Sequence, residues 1–470
     1  MVLFQMNEQK PTENMAKMAD MKEWNGLPTP RRHWAIAAIW LGMAMAVLDG
    51  AIANVALPAI ARDIHASPAE SIWVVNAYQL AIVVSLLPMA ALGEIAGYRR
   101  VYQAGLLLFV VASFACTQVH TLLALAAARG FQGFGAAGVM SINGALVRYT
   151  FPHSTLGRAI GYNAVVISIC AAIGPTVAST ILSLGSWQWL FAVNIPIGLA
   201  SLAIGWATLP ESPKSGHALD LVSTMLNVAT FGLVIIGADM LTRGGVTWIG
   251  WGELAIGFFA AALLVRRSLS QRRPLVPIDL LRNRVFSLSV LTSVASFSAQ
   301  MLAFVALPFF IQNVMHRSQV ETGLLMTPWP VAVGIAAPIA GRLADRFPAA
   351  IMGAIGLAIF SAGLLLLAFL PGDASTLDIG WRMMLCGLGF GFFQSPNNRT
   401  LLSAAPLDRS GAAAGMLATS RLTGQTLGAS LAAVIFRVAM ASEMTCLIVA
   451  AAFAALAAAA SLSRLEYKSV

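Results

Sequence analysis

The spacing of apolar runs constrains this chain more than any other feature. They fall at about 34–58, 70–92, 102–119, 121–147, 159–184, 189–208, 220–242, 249–265, 286–314, 321–341, 350–370, 380–404, 411–436 and 443–462, with short polar links between. A helix needs roughly 20 apolar residues to cross a bilayer, whereas a membrane-barrel strand shows about 10 residues in strict alternation. The runs have the helical length. In lipid an isolated helix satisfies its own backbone groups, which an open strand cannot do. Composition agrees: 58% of residues are hydrophobic and 10% charged, against about 25% charged in soluble domains. The spacing therefore predicts an all-α membrane protein with fourteen transmembrane helices.

The formal charge of +9 could suggest nucleic acid, but placement explains it better. With a cytoplasmic N-terminus, only Arg62, Arg243, Arg317, Arg382 and Arg437 of the 29 Lys and Arg fall in outer segments, while Arg129 and Arg421 lie within spans. That asymmetry obeys the positive-inside rule and predicts both termini in the cytoplasm. More than 30 mostly polar residues precede a first helix too long for a signal-peptide core, so no cleavable signal is expected.

An internal repeat divides the chain. "ALGEIAGYRR" at 91–100 and "GRLADRFPAA" at 341–350 match with Glu94 on Asp345, an offset of 251. Pro152 and Pro406, Gly157 and Gly411, Gly161 and Gly415, and Gly174 and Gly428 are each 254 apart. Near-constant spacing implies two related six-helix halves, the pattern of secondary transporters with a site between the halves. The predicted order is a cytoplasmic tail at 1–32, a six-helix bundle at 33–210, a two-helix insertion at 211–268, a basic cytoplasmic linker at 269–285, a second bundle at 286–463 and a tail at 464–470.

Catalytic and cofactor chemistry finds no support. Cys116, Cys170, Cys386 and Cys446 lie far apart in apolar runs, the six His are scattered, and no G-x-x-x-x-G-K-[ST] phosphate loop occurs. No cofactor, metal or nucleotide engine is expected, and no enzyme activity. The expected partners are protons, a small lipophilic substrate and the bilayer itself, with one chain as the working unit.

"LDGAIANVALP" at 48–58, "RGFQGFGAAG" at 129–138, "AAIGPTVAS" at 171–179, "WQWLFAVNIPIG" at 187–198 and "GRLADRF" at 341–347 resemble the signatures of the fourteen-helix drug:proton antiporters of the major facilitator superfamily. The resemblance implies the major facilitator fold, a multi-pass place in the cell membrane (the inner membrane in a bacterium), and export of lipophilic, often cationic compounds in exchange for protons. It also implies gating by Glu94, Arg99 and Arg100 after the second helix and by Asp345 and Arg346 at the repeat position. The family loop reads G-x-L-[AGS]-D-R-x-G-R-[RK]; here Ala90, Glu94, Ile95 and Tyr98 depart from it, so a weaker latch is expected in the first half. The alternative reading is a same-fold proton-linked carrier for an endogenous metabolite.

The residues give a parallel reading. Asp49 shares a small-residue face with Gly42, Ala46, Ala53 and Ala56 at helical spacing, so it is expected to face an interior cavity. Acids within a membrane are functional candidates, and burial and a nearby cation pull such a group in opposite directions, leaving it able to exchange a proton. Arg129 stays charged at any accessible pH and is expected to respond to Asp49. Gly174-Pro175 predicts a bend in the fifth helix, suited to gating. Polar and aromatic residues at membrane depth that could line the cavity are Asn54, Asn76, Tyr78, Gln132, Asn143, Gln300, Gln312, Trp329, Gln394, Asn397, Asn398 and Arg421.

Overall fold

The computed structural model describes residues 26–152, 156–212, 220–242, 247–271, 278–344, 346–372, 374–405, 410–439 and 442–466. Among them are fourteen long helical segments and no strand. In chain order these are α1 (Arg31–Asp63), α2 (Pro68–Ala96), α3 (Tyr98–Gln118), α4 (Leu122–Thr150), α5 (Leu156–Leu184), α6 (Gln188–Thr208), α7 (Leu221–Thr242), α8 (Thr247–Ser270), α9 (Arg284–Val314), α10 (Gln319–Leu343), α11 (Ala349–Ala368), α12 (Thr376–Ser403), α13 (Ser410–Val438) and α14 (Ser442–Glu466).

Ten of them are long and apolar enough to cross a membrane. α12 and α13 carry Gln394, Asn397, Arg421 and Gln425 and are not among the ten. α5 and α7 contribute the shorter apolar stretches Ile173–Leu184 and Leu221–Gly237.

The repeat reappears in the structure at three levels. Helix starts repeat first. Ser67 caps α2 in a reciprocal box with Glu70, and Ser318 caps α10 in the same box with Glu321, 251 residues later. Thr121 caps α4 and Ser375 caps α12, 254 apart. Each cap satisfies amide donors that the first helical turn leaves open. Close crossings repeat next: Gly105 of α3 meets Gly138 of α4, and Gly356 of α11 meets Gly389 of α12, where a Cβ would come within 3.1 Å of the opposing backbone. Absent side chains let these helices touch, as is common between membrane helices.

Packing partners complete the pattern. α2 and α3 pack on α4, α1 on α5 and α6, and α3 on α6; eight helices later α10 and α11 pack on α12, α9 on α13 and α14, and α11 on α14. Contacts between the two sets run through α5 with α10, α2 with α13 and α1 with α9. The hairpin of α7 and α8 leans on both, since α7 packs on α2 and on α13, and Asn227 Nδ2 donates to the Val84 carbonyl at 2.8 Å.

Both described termini lie at one end of the molecule, here the proximal end. Arg464 in the last turn of α14 reaches Ser289 Oγ at 3.0 Å near the start of α9, and α1 and α9 meet again at their far ends, where Arg62 Nη2 donates to Gln312 Oε1 at 3.4 Å. The sequence spacing assigned residue 464 to a tail, but Arg464 is 5% exposed and also donates to Asn397 Oδ1 at 2.9 Å. Its guanidinium found buried acceptors, so the α14 helix ends one turn later than the hydropathy drop indicates. Of the linker, residues 272–277 lie outside the described residues; Ile278–Leu281 forms a helical turn, and Asn283 caps α9.

Candidate functional site

Asp49 on α1 and Arg129 on α4 form an ion pair at 2.5 Å, and their side chains are 1% and 0% exposed. Asp49 accepts two more hydrogen bonds, from Gln132 Nε2 at 3.0 Å and from Asn194 Nδ2 on α6 at 2.7 Å. Arg129 also donates to the Val74 carbonyl at 3.0 Å and to Gln132 Oε1 at 2.6 Å, while Gln132 reaches Ser113 Oγ on α3 at 2.9 Å. A buried charge is tolerated when paired and hydrogen-bonded, and this pair is both. All of these groups lie on helices of the first half.

Between the halves lies a cavity of about 190 Å³. Asn54, Tyr78, Gln300, Trp329, Gln394 and Arg421 line it as expected, together with Gln79, Gln425, Phe297, Phe304 and Phe390. Asp49 does not. It was expected to face the cavity, but its neighbours Ala46 and Gly50 do so instead, and the carboxylate points into its donors. Six other candidates are likewise elsewhere. Gln132 belongs to the ion-pair network, Gln312 to the far end of α9, and Asn397 to the Arg464 cluster. Asn76 and Asn143 are buried, 2% and 5% exposed, outside the lining; Asn398 is outside it too. Helical periodicity identifies a buried face without distinguishing a face toward a neighbouring helix from one toward a void.

Tyr78 adjoins both regions. It lines the cavity, and the Arg129 guanidinium lies 4.1 Å from its ring centroid. Its hydroxyl donates to the Ala46 carbonyl at 3.0 Å, which fixes the ring. Trp329, 251 residues later, occupies the matching place on α10, and in both halves a glycine of the partner helix (Gly133, Gly387) makes room for the aromatic residue's backbone. The wall around Trp329 is aromatic: it meets Phe304 at 4.9 Å and Phe360 at 5.4 Å, and Phe390 meets Phe297 at 5.2 Å.

The gating candidates are dispersed. At the distal end Gly323 of α10 packs against Pro175 and Ser179 of α5, and Thr176 and Thr327 share a hydrogen bond of 2.6 Å. The α5 helix continues through Pro175, and Ser179 Oγ donates to the Pro175 carbonyl at 2.8 Å. Gly174 meets Ala51 of α1. At the proximal end Arg99 bonds the Trp206 carbonyl and lies 3.7 Å from Glu211, so it ties α3 to the end of α6 within one half. Glu94, Arg100 and Arg346 are exposed, and Asp345 lies outside the described residues.

These features coincide with a family match. The model of the Major Facilitator Superfamily aligns with residues 39–429. The chain belongs to the major facilitator superfamily. It is 50% identical over 411 residues to "Uncharacterized transporter YebQ" of Escherichia coli (strain K12), covering 87% of this chain and 90% of that protein. It is 30% identical to "Riboflavin transporter RibZ" of Clostridioides difficile (strain 630), covering 85% and 87%, and 32% identical to "Multidrug resistance protein Stp" of Mycobacterium tuberculosis (strain ATCC 25618 / H37Rv), covering 84% and 74%. The protein is a multi-pass transporter of the cell membrane, and this superfamily consists of carriers rather than enzymes.

Two features of this superfamily member escaped the sequence reading. Asn194, the third donor to Asp49, sits inside the "WQWLFAVNIPIG" motif, which held the signal without showing the partner. The other is the absence of any carboxylate from the cavity lining among the described residues: the expected preference for cations has no counterpart there.

Proposed function

We propose that this transporter exports lipophilic compounds in exchange for protons, its halves alternating around the central cavity, with cytoplasmic proximal ends. One observation carries the reading: Tyr78, which lines the cavity, also carries the Arg129 guanidinium on its ring at 4.1 Å. A proton arriving at Asp49 removes the charge that holds Arg129 Nη1, and Arg129 Nη2, buried without a partner, is free to take the guanidinium's next contact. Movement of Arg129 displaces the ring it lies on, and cargo in the cavity feels the change.

In the present arrangement the distal ends of α5 and α10 are in contact, which closes that side. Asp49 is the proton-coupling acid, Arg129 its counter-ion, and Gly174, Pro175 and Gly323 the distal gate; Glu94, Arg99, Arg100, Asp345 and Arg346 are assigned to the proximal one. Support for lipophilic cargo comes from the aromatic wall and from the likeness to Stp, a multidrug resistance protein. The riboflavin relative and the five glutamine and asparagine side chains in the lining favour a second reading, a proton-linked carrier for a polar aromatic metabolite.

The test is alkalinisation inside proteoliposomes when cargo is added outside, run with wild type and Asp49→Asn. Proton movement that persists in the variant removes the coupling assignment.

A further inference from the structure

We propose that the cavity selects aromatic compounds carrying a negative charge, with Arg421 pairing to the anionic group while the rings lie against the wall of Phe304, Trp329 and Phe390. The inference rests on the exporter reading and adds the charge of the cargo to it.

Arg421 of α13 lines the cavity and makes no hydrogen bond or ion pair with any described residue; its Nε is buried without a partner. Guanidinium remains protonated at any accessible pH, so the charge is permanent. An unpaired cation at membrane depth is costly unless water or a ligand compensates it. Arg129, the other deep arginine, is neutralised by Asp49, and no carboxylate lines the cavity among the described residues. The field a ligand meets is therefore positive.

The repeat shows that the fold does not require this charge. The residue 254 positions earlier, at the matching place on α5, is Ile167, which lines the same cavity. One half supplies an apolar group where the other supplies a cation. Trp329 Nε1, also of the lining, is a second buried donor without a partner, and no described carboxylate lines the cavity. Planar bidentate pairing with a carboxylate or sulfonate suits a guanidinium better than an ammonium.

The experiment compares tritiated 2-naphthoate with tritiated 2-naphthylmethylammonium, which share two fused rings and differ in charge. Binding is read by scintillation proximity on the full chain in nanodiscs, for wild type, Arg421→Gln and Arg421→Lys. The expected result is wild-type preference for naphthoate by about tenfold, loss of about tenfold in naphthoate affinity in Arg421→Gln with the preference gone, and partial retention in Arg421→Lys. Preference for the ammonium, or unchanged naphthoate binding in a thermally intact Arg421→Gln, overturns the proposal. Should Arg421→Gln not fold, the wild-type order and Arg421→Lys still decide. Proton-driven uptake in vesicles separates the two readings. Arg421-dependent binding of naphthoate without proton-linked export removes the exporter and leaves the selectivity; proton-linked export of the ammonium alone does the reverse.

Discussion

Asp49 receives donors from α4 and α6, and its role can be separated from its structural duty by pairing substitutions. Asp49→Asn leaves Arg129 buried without its counter-ion, a change that destabilises by about 3–5 kcal/mol. Asp49→Asn with Arg129→Gln removes both charges and is expected to recover most of the thermal midpoint while proton-linked transport stays absent. Transport returning along with stability would make the pair purely structural. Tyr78 offers a gentler probe: Tyr78→Leu keeps an apolar cavity wall but loses the ring over Arg129 and the bond to the Ala46 carbonyl. Transport should then survive with weaker proton coupling, seen as fewer protons moved per cargo. At this scale the sequence named the acid and the arginine, because charges are conspicuous among apolar residues. It misdirected Asp49 toward the cavity, since a small-residue face receives a helix as readily as a ligand.

At the scale of elements, the contact of α5 with α10 is a gate with no space to spare. A methyl added at Gly323 would collide with Ser179 and with the Pro175 carbonyl. Gly323→Ala is expected to hold the distal end apart, lowering transport on the order of tenfold and raising thiol labelling of a cysteine placed at Thr176; unchanged labelling would show that the helices close elsewhere. The α7–α8 hairpin has its own clasp at the proximal end. Asp220 is partly buried, which works against its charge, but hydrogen bonds from Arg267, Ser223 and Gln271 outweigh this and hold its carboxyl well below the usual carboxylate range. A depressed folded value stabilises the hairpin fully above the ordinary carboxylate pKa, and that contribution fades as pH falls toward the folded value. Wild type should therefore lose stability below about pH 4 more steeply than Asp220→Asn. Parallel acid profiles of the two would exclude the clasp. The caps of Ser67 with Glu70 and Ser318 with Glu321 emerged only in the structure, where their equal offset reinforces the repeat. α5 continues as a helix through Pro175, and how far proline bends a helix depends on what its neighbours allow.

Over the whole molecule, the two halves share a frame and differ in filling. The first buries a charge network at its centre; the second buries the aromatic cluster of Trp329, Phe360, Phe390 and Phe393. If cargo is anionic, export with one proton entering moves two charges with the field of an inside-negative membrane, about 4.6 kcal/mol per 100 mV, whereas exchange of a monovalent cation for one proton moves none. Naphthoate export should accordingly accelerate under a potassium–valinomycin potential at constant pH; insensitivity to potential would argue for neutral exchange. Fourteen helices in two repeated sets with a two-helix segment between them were legible in the sequence alone, because bilayer thickness sets the length of an apolar run and the repeat sets its order. Which polar side chains meet a cavity was decided only by the tertiary structure. Hydropathy measures the cost of moving a residue out of water, and the same polar group at membrane depth can turn to a neighbouring donor, as at Asp49, or onto a cavity, as at Arg421.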